Sequence, residues 1–312
     1  MKNLPILIAL SVAIVGRPSG WVVVPNELAQ VEGDAAQLSP FNSSIAGRSV
    51  RYQQVYDASQ FEAVRPEGEF ITAIDFRMDS PSGYPSGVRL RDMQVSLSTT
   101  SKGPDTLSTN FAENVGPDSA IIFRGQFESS FGYTRNYSPQ VFDLGIIASP
   151  WFFYRPSAGN LLLDVKVFTY SNSIPDAAPF DASDVTGDPI STLGSANVTS
   201  ATGTPSTRGL VTAFAIGTPL LQALKTNDML RLYWWQGIEG FTLQTTTNVG
   251  PEASWTPVLE PVTVSGWTRT VDVPIQTNLV GSYYRLRWTP PPGKALPPGI
   301  SKISPVTFPP SP

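Results

Sequence analysis

Apolar and polar residues alternate one by one over much of this chain. A period of two puts one face of an extended strand on a core and the other toward water. Met93, Val95 and Leu97 alternate with Asp92, Gln94 and Ser96, and Leu161, Leu163, Val165 and Val167 with Leu162, Asp164, Lys166 and Phe168. In residues 70–78 the same period predicts Phe70, Ile74, Phe76 and Met78 on one face and Asp75 and Arg77 on the other. Residues 21–24, 120–127 and 210–216 read as further strands, with turn signals at 81–83, 102–104 and 115–117 between strand-like runs. The pattern predicts an all-β fold: an antiparallel β-sandwich, jelly-roll-like, over residues 21–217.

A second, smaller unit is expected over 218–288, with an immunoglobulin-like β architecture. Residues 219–225 fit either a short helix or a strand. The strand is preferred, because Thr226-Asn227-Asp228 makes a turn into residues 229–235. Strands follow at 241–247, 262–264, 270–273 and 283–288. So small a unit needs large side chains to fill its core, and Trp234 or Trp235, Trp255, Trp267 and Tyr284 supply them. Residues 289–312 are rich in proline and predicted to form an extended tail.

The start of the chain changes the picture. Lys2 precedes an apolar run over residues 4–15, too short for a membrane span of about 20 residues but suited to a signal-peptide core. Residues 1–16 are therefore read as a signal peptide, with Ser11-Val12-Ala13 as one small-x-small cleavage site. Export follows as the expectation, to the extracellular space or cell surface, with no membrane span in the mature chain.

Composition then removes chemistries. A net charge of −4 without a basic stripe argues against a nucleic-acid partner, which needs cations to displace phosphate counterions. The chain has 0 Cys and 0 His. Disulfides, thiolate nucleophiles, imidazole-ligated metals and Ser–His–Asp catalysis are thereby excluded.

Three blocks carry a resemblance. They are residues 51–61 (RYQQVYDASQF), residues 95–101 with 107–112 (VSLSTTS, LSTNFA), and residues 156–165 (PSAGNLLLDV). Together they cover most of 22–216 and resemble exported bacterial β-sandwich proteins of the kind found among PEP-CTERM-type surface proteins. The stretch 241–244 and the closing 283–286 look like a small β module on secreted proteins of environmental bacteria. The resemblance implies export and a β fold and brings no catalytic residues. Residues 289–312 lack the Pro-Glu-Pro motif, hydrophobic helix and basic cluster of the sorting tail, so it implies no anchoring by that route.

Two clusters are candidate sites. Trp151-Phe152-Phe153-Tyr154 is the densest aromatic run of the larger unit, with Trp151 and Phe153 expected on one face and Phe152 and Tyr154 on the other. Such rings either fill a core or, if exposed, stack on sugars. Trp151, Tyr154 and, in the small unit, Trp235 are the candidate ligand contacts. Asp181, Asp184 and Asp188 fall within eight residues and either ligate Ca²⁺ through hard oxygens or form an ordinary solvated loop. Catalysis without histidine would need paired carboxylates. Asp75 with Arg77, and Asp164 with Lys166, read as surface charge pairs instead. The functional expectation is a non-catalytic exported protein with a binding or structural role, its partner a polysaccharide or cell-envelope component. The alternative is a carbohydrate-active enzyme or carbohydrate-binding accessory protein.

Overall fold

The two-residue period becomes backbone. The computed structural model describes residues 20–41, 49–66, 68–79, 88–129, 138–170, 179–217, 221–226, 228–235, 240–248, 250, 252–265, 268–275 and 282–288, and most of them lie in antiparallel strands. The side chains of Tyr170, Trp235 and Trp288 lie outside that description, as do the export segment 1–16 and the tail 289–312. The chain divides into two compact units, one within residues 18–218 and one from 219 onward.

The larger unit runs through β1 (Gly20–Val24), β2 (Ala35–Gln37), β3 (Val50–Tyr56), β4 (Glu69–Arg77), β5 (Val88–Thr100), β6 (Ala120–Ser129) and β7 (Phe142–Tyr154). It continues through β8 (Asn160–Tyr170), β9 (Phe180–Ser183), β10 (Ile190–Ser195), β11 (Thr204–Ser206), β12 (Gly209–Leu210) and β13 (Thr212–Gly217). One sheet has the order β1-β13-β4-β7, a second β11-β10-β3-β8-β5-β6, and a small third β12-β9-β2. β11 is an edge strand, three residues long with a central Pro205, exposed throughout.

The two large sheets share one hydrophobic core, as the layers of a sandwich do. Val22, Ile74, Leu144 and Phe214 enter it from the four-stranded layer, and Tyr52, Val95, Leu163 and Val165 from the six-stranded one. Tyr56 of β3 meets Phe214 of β13 edge-on, ring centres 4.9 Å apart, and its hydroxyl lies 2.9 Å from Thr212 Oγ1. Each such large side chain, fully buried, stabilises the fold by roughly 1.5–3 kcal/mol.

β4 departs from the expected alternation at both ends, because its ladder contains two bulges. The register skips Thr72, so Ile71 rather than Phe70 enters the core, and it shifts again between Phe76 and Arg77. A bulge turns the following side chain to the other face. Arg77 therefore does not share the outer face with Asp75. It is buried, its Nε 2.6 Å from Asp181 Oδ2 and its Nη2 donating to the carbonyls of Leu28 and Val31.

The smaller unit contains β14 (Gln222–Thr226), β15 (Met229–Trp235), β16 (Phe241–Thr246), β17 (Thr256–Pro257), β18 (Thr263–Ser265), β19 (Thr268–Pro274) and β20 (Tyr283–Trp288). Residues 222–226 form a strand, not a helix, and pair with β15 as the turn chemistry predicts. Its sheets have the orders β14-β15-β19-β18 and β17-β16-β20. Leu230, Leu232, Trp234, Leu243, Val271 and Val273 form its core. Trp255 lies at the margin, with the Arg285 guanidinium 4.2 Å from its ring centre, and Trp267 falls outside the described residues. Among the described residues no helix is long and apolar enough to cross a membrane.

Candidate functional site on the four-stranded sheet

Antiparallel register places two rows of side chains side by side on the outer face of the four-stranded sheet. Trp21, Ala215, Ala73 and Ile147 form one row, each opposite the next. Val23, Ala213, Asp75 and Gly145 form the neighbouring row. Their chain neighbours Val22, Phe214, Ile74 and Ile146 face the core, so these two rows face outward. Large side chains stand at the ends of the first row and small ones between. Trp21 is 56% exposed and Ile147 66%, about 14 Å apart across three strand spacings. Of the alanines in the two rows, Ala73 is half-buried and Ala215 and Ala213 are buried.

Asp75 stands in the second row, between Ala213 and Gly145. Gly145 makes room for it: a methyl group on Gly145 would sit 2.9 Å from Asp75 Oδ1. Asp75 is only partly buried, and among the described residues no group donates a hydrogen bond to its carboxylate. Partial burial, and secondarily the charge of Asp143 two residues before Gly145, push the Asp75 carboxyl from its ordinary 3.8 up to about 6. An exposed indole and an unengaged acceptor thus share one face, two strands apart.

The residues singled out in the sequence go elsewhere. Trp151 and Phe153 do lie on the opposite face from Phe152 and Tyr154, but the buried face is that of Phe152 and Tyr154. Tyr154 is fully enclosed, its ring 5.0 Å from that of Phe61 and its hydroxyl donating to the Gly159 carbonyl at 2.9 Å. It has no ring face on which a sugar could stack. Trp151 is half-buried and packs against the core, 6.2 Å from Phe70. Arg155 follows, buried, with no hydrogen-bond partner on Nε or Nη2. Trp235 pairs with Thr268 in the ladder, and its indole lies outside the described residues.

The three aspartates do not converge. Asp181 lies on β9 and is fully buried against Arg77, while Gly33 N–H donates to its Oδ1 at 2.8 Å. Burial pushes the Asp181 carboxyl up, and the Arg77 guanidinium opposes that push. Asp184 instead accepts from the Thr207 hydroxyl at 2.5 Å and from Arg208, which hold its carboxyl below the ordinary range. Asp188 accepts from Ser183 Oγ at 2.6 Å and Ile190 N–H at 3.0 Å. The acidic neighbours of Asp181 are Glu32 and Asp79, the three offering oxygens within 4.8 Å of one another. Arg77 already supplies the countercharge there.

Asp164 also differs from expectation. It pairs with Arg51 across the strand boundary, at 2.8 Å, and not with Lys166. Trp21 was legible as part of a strand. Its exposure was not, because alternation separates two faces without saying which one meets water. No protein-family model matches the chain, and neither does a curated protein or a solved structure.

Proposed function

We propose that this chain is an exported, non-catalytic β protein that holds a polysaccharide or cell-envelope glycan on the outer face of its four-stranded sheet. The carrying observation is the exposed indole of Trp21 on the same sheet face as the unengaged carboxylate of Asp75, two strands away. An indole offers a flat apolar surface to the C–H face of a sugar ring, and a free carboxylate accepts from sugar hydroxyls. Export is supported by Lys2 and the apolar run after it, and by the resemblance of residues 22–216 to exported bacterial proteins.

The test is depletion of the purified chain onto a panel of insoluble neutral polysaccharides. Depletion onto one of them, weakened about tenfold or more by Trp21→Ala, is the expected result. Equal depletion by Trp21→Ala, or none by the wild-type chain, overturns the reading.

One observation favours a second reading, carbohydrate hydrolysis. Asp75, raised to about 6 beside Asp143, has the form of an acid paired with a second carboxylate. Release of new reducing ends from the bound polysaccharide, lost in Asp75→Asn, would favour hydrolysis over simple binding.

A further inference from the structure

The opposite side of the sandwich carries a row of a different kind. Arg51, Lys166, Gln94 and Arg124 stand opposite one another across β3, β8, β5 and β6. Like charges directly opposite repel, so three cations in one four-strand row need a reason. The two outer ones are compensated. Arg51 lies 4.4 Å from the Phe111 ring centre and bonds Asp164 at 2.8 Å. Arg124 lies 4.1 Å from that of Phe168 and bonds Asp92 at 2.9 Å and Gln94 at 3.2 Å. Lys166, between them, has no ion-pair or hydrogen-bond partner for its ammonium among the described residues.

The uncompensated charge sits in a groove. Arg51, Lys166, Gln94, Ser96 and Asp164 help to line an opening of about 410 Å³, walled on one side by the loop between β5 and β6. That loop is pinned in place. Gln53 Nε2 donates to the Phe111 carbonyl at 3.1 Å, Asn114 Nδ2 donates to Gln53 Oε1 at 3.0 Å, and Asp118 accepts from Thr99 N–H at 2.7 Å. Gly116 packs so tightly that a methyl group there would lie 1.6 Å from the Thr99 carbonyl oxygen. The wall of the groove is therefore fixed by the protein's own hydrogen bonds.

We infer that this groove binds an acidic polysaccharide, with a uronate carboxylate seated on Lys166 and flanking hydroxyls on Gln94, Ser96 and Asp164. One surplus cation, beside the paired Arg51 and Asp164 and the neutral groups of Gln94 and Ser96, matches a sugar acid within a run of hydroxyls. A nucleic acid fits less well: the aromatic rings nearest the groove are capped by guanidinium groups and offer no stacking surface for bases. The site is independent of the Trp21 face.

Titration calorimetry of the full chain with polygalacturonate tests this inference, with neutral glucan and single-stranded DNA as comparison probes. The wild-type chain should bind polygalacturonate, more weakly as salt is raised. Lys166→Glu should lose about tenfold or more and Lys166→Ala less, while Lys166→Arg and Trp21→Ala bind as wild type. Matching thermal melts establish that the variants fold, and Lys166→Ala serves if Lys166→Glu does not. The inference is overturned by no binding of polygalacturonate, by unchanged binding in Lys166→Ala and Lys166→Glu, or by a loss confined to Trp21→Ala. Tighter binding of DNA than of polygalacturonate also overturns it, in favour of a nucleic-acid site.

Discussion

The side-chain amide of Gln54 engages the backbone of Leu210 in both directions. Its Nε2 donates to the Leu210 carbonyl at 2.8 Å, and its Oε1 accepts from the Leu210 N–H at 2.8 Å. A side chain 156 residues away thus supplies what a neighbouring strand would supply, and both partners are buried. In Gln54→Leu the buried Leu210 N–H and the buried Tyr52 hydroxyl lose their acceptor, while the Leu210 carbonyl keeps the Thr212 hydroxyl. Each group left unpartnered costs about 1–3 kcal/mol. The expected fall in thermal midpoint is roughly 5–15 °C for a unit of this size, read by circular dichroism.

Arg77 and Asp181 give a sharper contrast between single and double changes. Arg77→Met strands a buried carboxylate and should destabilise by about 3–5 kcal/mol, as should Asp181→Leu by stranding the guanidinium. The double variant removes both charges and should recover most of that loss. Denaturant midpoints of the four proteins close the cycle. A double variant as unstable as the sum of the singles would mean that the carbonyls of Leu28 and Val31 need the guanidinium more than Asp181 does.

Asp75 sets a pH dependence of defined sign. Its folded value of about 6 exceeds the ordinary 3.8, so between those limits the folded chain holds more protons than the unfolded one. Its contribution to stability is full below pH ~4 and is lost as pH rises through about 6. Asp75→Asn should flatten this part of the stability profile and melt higher than wild type at pH 7. Parallel wild-type and variant profiles between pH 4 and 7 would contradict the assignment.

Arg155 is a buried cation whose Nε and Nη2 have no acceptor. Burying a charge without a partner opposes folding, and methionine fills similar space without that penalty. Arg155→Met should therefore raise the thermal midpoint, by the equivalent of ~1 kcal/mol or more. A lower midpoint would mean that the arginine stem contributes more by packing than its charge takes away.

Much of the fold was legible because strands write themselves as alternation. Residues 283–288 form a strand with the expected bounds, and 222–226 pair with 229–235 as the intervening turn implies. Alternation fails at a bulge, which leaves no mark in composition. For that reason Phe70 and Arg77 fall on faces other than those the alternation predicts. Pairing across the sheet is equally hidden: Arg51 and Asp164 lie 113 residues apart, whereas Asp164 and Lys166 are two apart on one face. Sequence proximity favoured the wrong partner. The aromatic run 151–154 was conspicuous for its density, yet density is what a core also requires. The single indole of Trp21 stood out only once its neighbours across the sheet were known to be alanines.

The short outer strand Thr204–Ser206 has a last consequence. Pro205 has no N–H to offer an incoming chain, and three exposed residues give little length for one to align on. At the far margin of the same sheet, β6 turns through Gly125 at φ +137° and carries Arg124 and Glu128. Both rims of the six-stranded sheet thus resist adding a strand from another molecule, so the protein can be crowded to high density without seeding fibrils along these rims.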